Sequence, residues 1–251
     1  MQKLNVEEEK KLNNIFIFLS GVFVTNAILA EVLGTKIFDL SFIKKFNLSV
    51  GVLIWPVVFI TTDIINEYFG KRGVKKISYF TILLISYSFI IIFYSTKLTP
   101  NSYWLNINKF DDQGNLFNVS YAYNTIFLQS IGIIIGSIVA FLIAQLLDVF
   151  VFQKIKKITS GKYIWLRATG STVISQLIDS FIVLLIAFYF LAPEGKAWSI
   201  SQVFNVGSDN YIFKFSVAIM ITPAIYLSHY LIDKYLGKQL SEKAKNNALL
   251  S

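Results

Sequence analysis

The 251 residues are 55% hydrophobic and only 15% charged, where a soluble domain carries about 25% charged residues, so composition excludes an ordinary water-soluble fold and points to one integral membrane domain. The formal net charge of +8 does not indicate nucleic acid, because Lys and Arg fall in short clusters between apolar runs rather than along one face. With no cysteine and a single histidine, His229, the chain excludes disulfides, thiolate chemistry and a His-rich metal site, and nothing in it calls for a cofactor.

Six apolar runs are long enough for a hydrocarbon core, roughly 14–33, 49–67, 77–97, 124–148, 163–191 and 211–232. They predict an all-α membrane domain over 14–232, flanked by tails at 1–13 and 233–251. The first run could pass for a signal-peptide core, yet no A-x-A cleavage pattern follows it, so it is read as a retained helix. It carries Asn26 and, near its outer end, Glu31, for which a carboxylate snorkelling to the headgroups competes with a site role.

The second run ends on Asp63 and Glu67, which lie within about 40° of each other on a helix at 100° per residue. An ionised side chain at membrane depth costs about 2.5 to 3.5 kcal/mol, so such residues are kept where they face a partner or a polar cavity. Pro56 shares that face and predicts a kink or an unwound stretch. After the apolar third run comes a long polar connection at 98–123, whose Tyr103, Trp104 and Tyr121 suit interfacial anchoring. In the fourth run Gly132, Gly136, Ala140 and Ala144 form a small-xxx-small ladder for close helix packing, within the protomer or in a homodimer.

The fifth run is the most polar, with Ser171, Thr172, Ser175, Gln176, Asp179 and Ser180 on one half of its wheel. Entering near Tyr163, it places Arg167 about 6 Å in and Asp179 about 24 Å in. Arg167 then shares a depth with Asp63 and Glu67, and Asp179 shares one with Glu31. The expectation is a lower ion cluster of Arg167, Asp63 and Glu67 and a separate, higher carboxylate for substrate. A second polar connection at 192–210 leads to the sixth run, with Pro223 and His229.

Charge asymmetry sets the direction. One side holds Lys3, Lys10 and Lys11, then Lys71, Arg72, Lys75 and Lys76, then Lys154, Lys156, Lys157 and Lys162, and finally Lys234, Lys238, Lys243 and Lys245. The other holds Lys36, Lys44, Lys45, Lys97, Lys109 and Lys196. The richer side is cytoplasmic, so both termini are expected inside. Two halves of three helices with opposite orientation allow a 3+3 inverted repeat, faintly echoed by FITTDIINE and STVISQLIDS.

The segment from Asn26 to Lys36, the run PVVFITTDIINEYFGKR from Pro56 to Arg72, and RATGSTVISQLIDS from Arg167 to Ser180 resemble the queuosine precursor transporter family, also called the vitamin uptake transporter family. The resemblance implies a multi-pass importer of the bacterial inner membrane, carrying 7-deazaguanines such as preQ0, preQ1 or queuine for tRNA modification. It implies no enzymatic step, with small-molecule substrate and membrane lipid as partners, no nucleic acid, and room for a homodimer. By position it marks Asn26, Asp63, Glu67, Arg167, Gln176 and Asp179 as the family's polar signature; residue chemistry adds Glu31 to the candidate substrate site.

Three other readings stay open. A substrate-binding subunit of a multi-subunit vitamin importer also uses six helices, although Ala27 and Ala30 are not spaced as A-x-x-x-A. An intramembrane aspartyl hydrolase would pair Asp63 with Asp179, but neither lies in G-x-G-D. A ligand-free scaffold has only the small-residue ladder behind it.

Overall fold

The computed structural model describes residues 3–34, 36–40, 46–128, 131–192 and 194–249. Helices dominate it: α1 (Val6–Leu33), α2 (Trp55–Lys97), α3 (Ser102–Ile107), α4 (Val119–Phe127), α5 (Ile131–Ile158), α6 (Ile164–Leu184), α7 (Ile200–Met220), α8 (Thr222–Leu236) and α9 (Lys238–Leu249). Four stretches are long and apolar enough to cross a membrane, or five if α7 and α8, bent by 43°, form one span. The chain is therefore an all-α membrane protein.

α2 is two helices end to end. Gly70 sits inside it at φ 67° and ψ −167°, a region essentially closed to residues with a Cβ. α1 shows what the break does. Its Phe16 ring packs 5.0 Å from Phe69, just before the glycine, and lies 3.7 Å from the position of a Cβ on Gly73, just after it. Its other end meets the turn that leads into the first arm, where a Cβ on Gly51 would lie 2.5 Å from the Ala30 carbonyl oxygen, and the second arm, where Ala27 packs in one cluster with Ile85 and Phe89. Both arms thus run the length of α1 in opposite directions, and the chain reverses at Gly70. The Phe16 end of the bundle is called the lower level below, and the Ala30 end the upper.

Several boundaries differ from the sequence expectation for local reasons. A capping box in which Asn5 and Glu8 exchange side-chain to backbone bonds of 2.8 and 2.9 Å starts α1 at Val6. Another, between Ser199 and Gln202, starts α7 at Ile200, inside the stretch expected to be a polar connection. Pro56 does not kink a span: it falls in the first turn of α2, where no intrahelical donor is lost. Pro223 holds the same place in α8. Ahead of α2 stand a 3₁₀ turn at Val50–Leu53 and a two-stranded antiparallel hairpin, β1 (Ile37–Leu40) with β2 (Phe46–Ser49), which periodicity did not announce.

α5 and α6 pack antiparallel through the glycine half of the ladder. A Cβ on Gly132 would be 3.0 Å from the Leu191 carbonyl oxygen, and one on Gly136 3.1 Å from that of Val183. This part of the ladder is used within the chain. Past Leu184 the helix widens into a π-helical segment, Leu185–Phe190. At the lower level Gly237, at φ 79°, lets the chain turn into α9, which buries Leu240 and Ala244 in one core with Leu12 and Tyr68. Asp233 fastens that helix, accepting 2.8 Å bonds from Lys245, a 2.6 Å bond from Tyr68 and one from Ser241.

Candidate functional site

Polar side chains of the first α2 arm, α5 and α6, joined by α1 and α7 at the upper end, gather at three levels. At the lower level Arg167 meets Glu67 through a two-toothed contact, Nε to Oε2 at 3.0 Å and Nη2 to Oε1 at 2.9 Å. Its remaining Nη1 donates to the carbonyls of Gly161 and Lys162 at 2.7 and 3.1 Å. Those carbonyls are presented by the α5–α6 turn, where Ser160, Gly161 and Tyr163 all have positive φ. Lys156 completes the cluster, with Nζ 3.1 Å from Glu67 Oε2 and 2.9 Å from the Glu67 carbonyl. The guanidinium also lies 5.8 Å from the Phe152 ring. One carboxylate thereby ties the Gly70 reversal to the neighbouring turn, and both cations are committed to it.

Asp63, expected in that ion cluster, is not bonded to Arg167. It is 1% exposed, and neither of its oxygens has a hydrogen-bond partner among the described residues. Opposite it on α5 stands Asp148, also buried and 3.3 Å from the Ser175 hydroxyl that donates to it. Around them Gln145 donates to Thr62 at 3.2 Å and Gln153 to Asn66 at 2.6 Å, so α2 and α5 are bridged by side-chain amides above and below the carboxylates.

The upper level joins four helices. Asp179 of α6 accepts a 2.5 Å bond from Lys214 of α7, and Glu31 of α1 interacts with Ser137 of α5 within electrostatic reach of both. Asp179 and Glu31, placed at one depth by helix arithmetic, do come together, but Asp179 is not the solitary carboxylate expected. Exposure here is higher than below: the side chains of Lys214 and Asp179 are 11% and 15% accessible, against 1–3% for Lys156, Arg167 and Glu67. One turn along α5 from Ser137, Phe141 lies against Trp55 at 5.7 Å, and Trp55 stacks on Phe59 at 5.9 Å, giving flat apolar surface near the charges.

Two candidates sit less centrally. Gln176 is buried on the same face of α6, one turn from Asp179. Asn26 turns its amide back to the Val22 carbonyl at 2.8 Å, satisfying its own helix. His229 is buried beside Tyr68, with Nδ1 3.4 Å from the phenol oxygen. No group of His, Cys, Asp and Glu side chains suited to a metal ion occurs among the described residues.

Sequence reasoning missed Gln145, Asp148, Lys156 and Gln153. The signal was present in AQLLDVFVFQK, where polar residues recur at helical spacing in an otherwise apolar helix, but Lys156 was counted only as a topology charge. The family model described as "Putative vitamin uptake transporter" matches residues 49–228, which run from the turn before α2 into the first half of α8 and hold every one of these groups except Asn26, Glu31 and His229.

The chain belongs to the vitamin uptake transporter family. Curated relatives of this family member agree in length as well as sequence. It is 28% identical over 193 residues to the "Probable queuosine precursor transporter" of Bacillus subtilis (strain 168), covering 76% of each chain. It is 27% identical to the protein of the same name from Haemophilus influenzae, over 72% of this chain and 68% of that one. The "Queuosine precursor transporter" of Escherichia coli (strain K12) is 26% identical over 82% of each. No solved structure matches the chain.

Proposed function

We propose that this protein imports queuosine precursors, 7-deazaguanine bases such as preQ0 or preQ1, across the bacterial inner membrane. The observation that carries the reading is the upper cluster, in which Glu31, Asp179 and Lys214 converge from three helices beside the Trp55 and Phe141 rings. A guanine-like edge offers a carbonyl acceptor next to N–H donors. A paired lysine and carboxylate match both, Lys214 donating and Asp179 accepting, with Gln176 able to do either. Charge-assisted bonds of this kind are roughly twice as strong as neutral ones.

On this reading the reversal at Gly70 makes α2 two spans, and α7 with α8 one, for six in all. The lower level, rich in Lys and Arg, faces the cytoplasm with both termini, and the upper level receives substrate from outside. Three spans with each polarity are compatible with a 3+3 inverted repeat. Glu67, Arg167 and Lys156 close the lower end of the path.

The test is uptake of radiolabelled preQ1 in a bacterial strain unable to synthesise the precursor, with this chain as the sole added protein. Accumulation that depends on the chain supports a self-sufficient importer. Absence of uptake despite membrane insertion would reject it, and rescue by a co-expressed energising complex would instead identify a binding subunit.

A further inference from the structure

We infer that Asp63 and Asp148 share one proton inside the bundle and that entry of this proton drives import, an inference that rests on the transport reading above. The two carboxylates lie on facing helices between the bridges Gln145 to Thr62 and Gln153 to Asn66. Asp148 lies within electrostatic reach of Asp63. Both oxygens of Asp63 are buried without a hydrogen-bond partner among the described residues, a costly state for a carboxylate.

The cations around the pair make no hydrogen bond to Asp63. Arg167 from α6 is consumed by Glu67 and two turn carbonyls, and Lys156 from α5 by Glu67 as well. Glu67, one turn below Asp63, adds a further negative charge. From α8, His229 faces Tyr68 rather than the pair, and α1 presents Leu19 and Phe23 to the same core. A single proton resolves both defects: it removes one of two adjacent negative charges and turns one carboxyl into a donor for the other.

The position suits coupling. Ser175, which donates to Asp148, is one turn from Asp179 on the same face of α6, so the pair lies directly under the proposed base site. A proton would arrive from the upper level with the substrate, reside on the pair, and leave past Glu67 toward the lower level. Nothing but the proton is exchanged, and it ends in the cytoplasmic water.

Two measurements on the purified full-length protein test this. Infrared spectroscopy at neutral pH is expected to show a protonated carboxyl stretch that disappears in Asp63→Asn and equally in Asp148→Asn, with no additional loss in the double variant. Retention of the wild-type band in monodisperse samples of either single variant would overturn the shared proton. In liposomes carrying the protein, an inward proton gradient is expected to raise the accumulation of radiolabelled preQ1 by about tenfold per pH unit for one proton per substrate, and a protonophore to abolish the gain. Asp63→Asn should lose the gradient dependence. Uptake by the wild type that ignores the gradient would refute coupling while leaving transport standing. A total lack of uptake alongside an intact infrared band would refute the transport reading, and coupling with it, while leaving the shared proton.

Discussion

The lower and upper charged clusters both pair lysine with carboxylate, yet they differ in saturation and exposure. In the lower one every strong donor of Arg167 has a partner, two of them backbone carbonyls of a strained turn, and the side chains are sealed from solvent. In the upper one a single lysine faces two carboxylates, and several times more surface remains accessible. A saturated cluster has nothing left to offer a ligand, so its free energy goes into holding two turns together. An accessible cluster with excess acceptors can exchange partners, which suits it to the substrate site proposed above.

The contrast breaks most visibly at Arg167. Arg167→Ala leaves Glu67 with Lys156 alone and frees two carbonyls, and removal of one partner from a buried pair costs about 3 to 5 kcal/mol. Thermal unfolding in detergent should show a large loss of stability, with uptake lost as a consequence; an unchanged melting profile would dissolve the distinction between the clusters. Arg167→Lys should recover only part of the loss, because an ammonium lacks the planar fork. Next in size is Gly70→Ala, which forces a Cβ into a backbone region costing about 1 to 3 kcal/mol and should weaken the reversal while removing no side chain of either cluster. Ser199→Ala removes a capping box far from both and is expected to cost about 0.5 to 2 kcal/mol by the same measurement, with uptake kept. Gln176→Ala belongs to the upper face, and there a partial fall in uptake with near-normal melting is the expected outcome.

How much of this could be read from the chain alone differs between the same two regions. Depth along a helix is arithmetic, so the meeting of Arg167 with Glu67 and of Asp179 with Glu31 followed from where each run enters. Which atoms pair is set by rotation and tilt of whole helices, and these leave Asp63 without a bond to Arg167 and bring Lys214 onto Asp179. Lys156 was hidden by its position, because a lysine at a helix end ordinarily serves the membrane interface. Asp148 and Gln145 were overlooked because the small residues of the same helix offered a complete account of it. The helix start at Ile200 was legible in SISQ, a capping box embedded in a polar stretch. The hairpin before α2 was not, since strands of four residues carry too little periodicity.

The division of labour between the clusters is tested most directly by equilibrium binding of radiolabelled preQ1 to the purified protein and to Asp179→Asn. The substitution keeps the shape of the side chain but puts a donor where the base presents donors, and it leaves the lower cluster untouched. The account predicts that Asp179→Asn loses measurable binding while its melting profile falls far less than that of Arg167→Ala. Undiminished binding by a well-folded Asp179→Asn would contradict it.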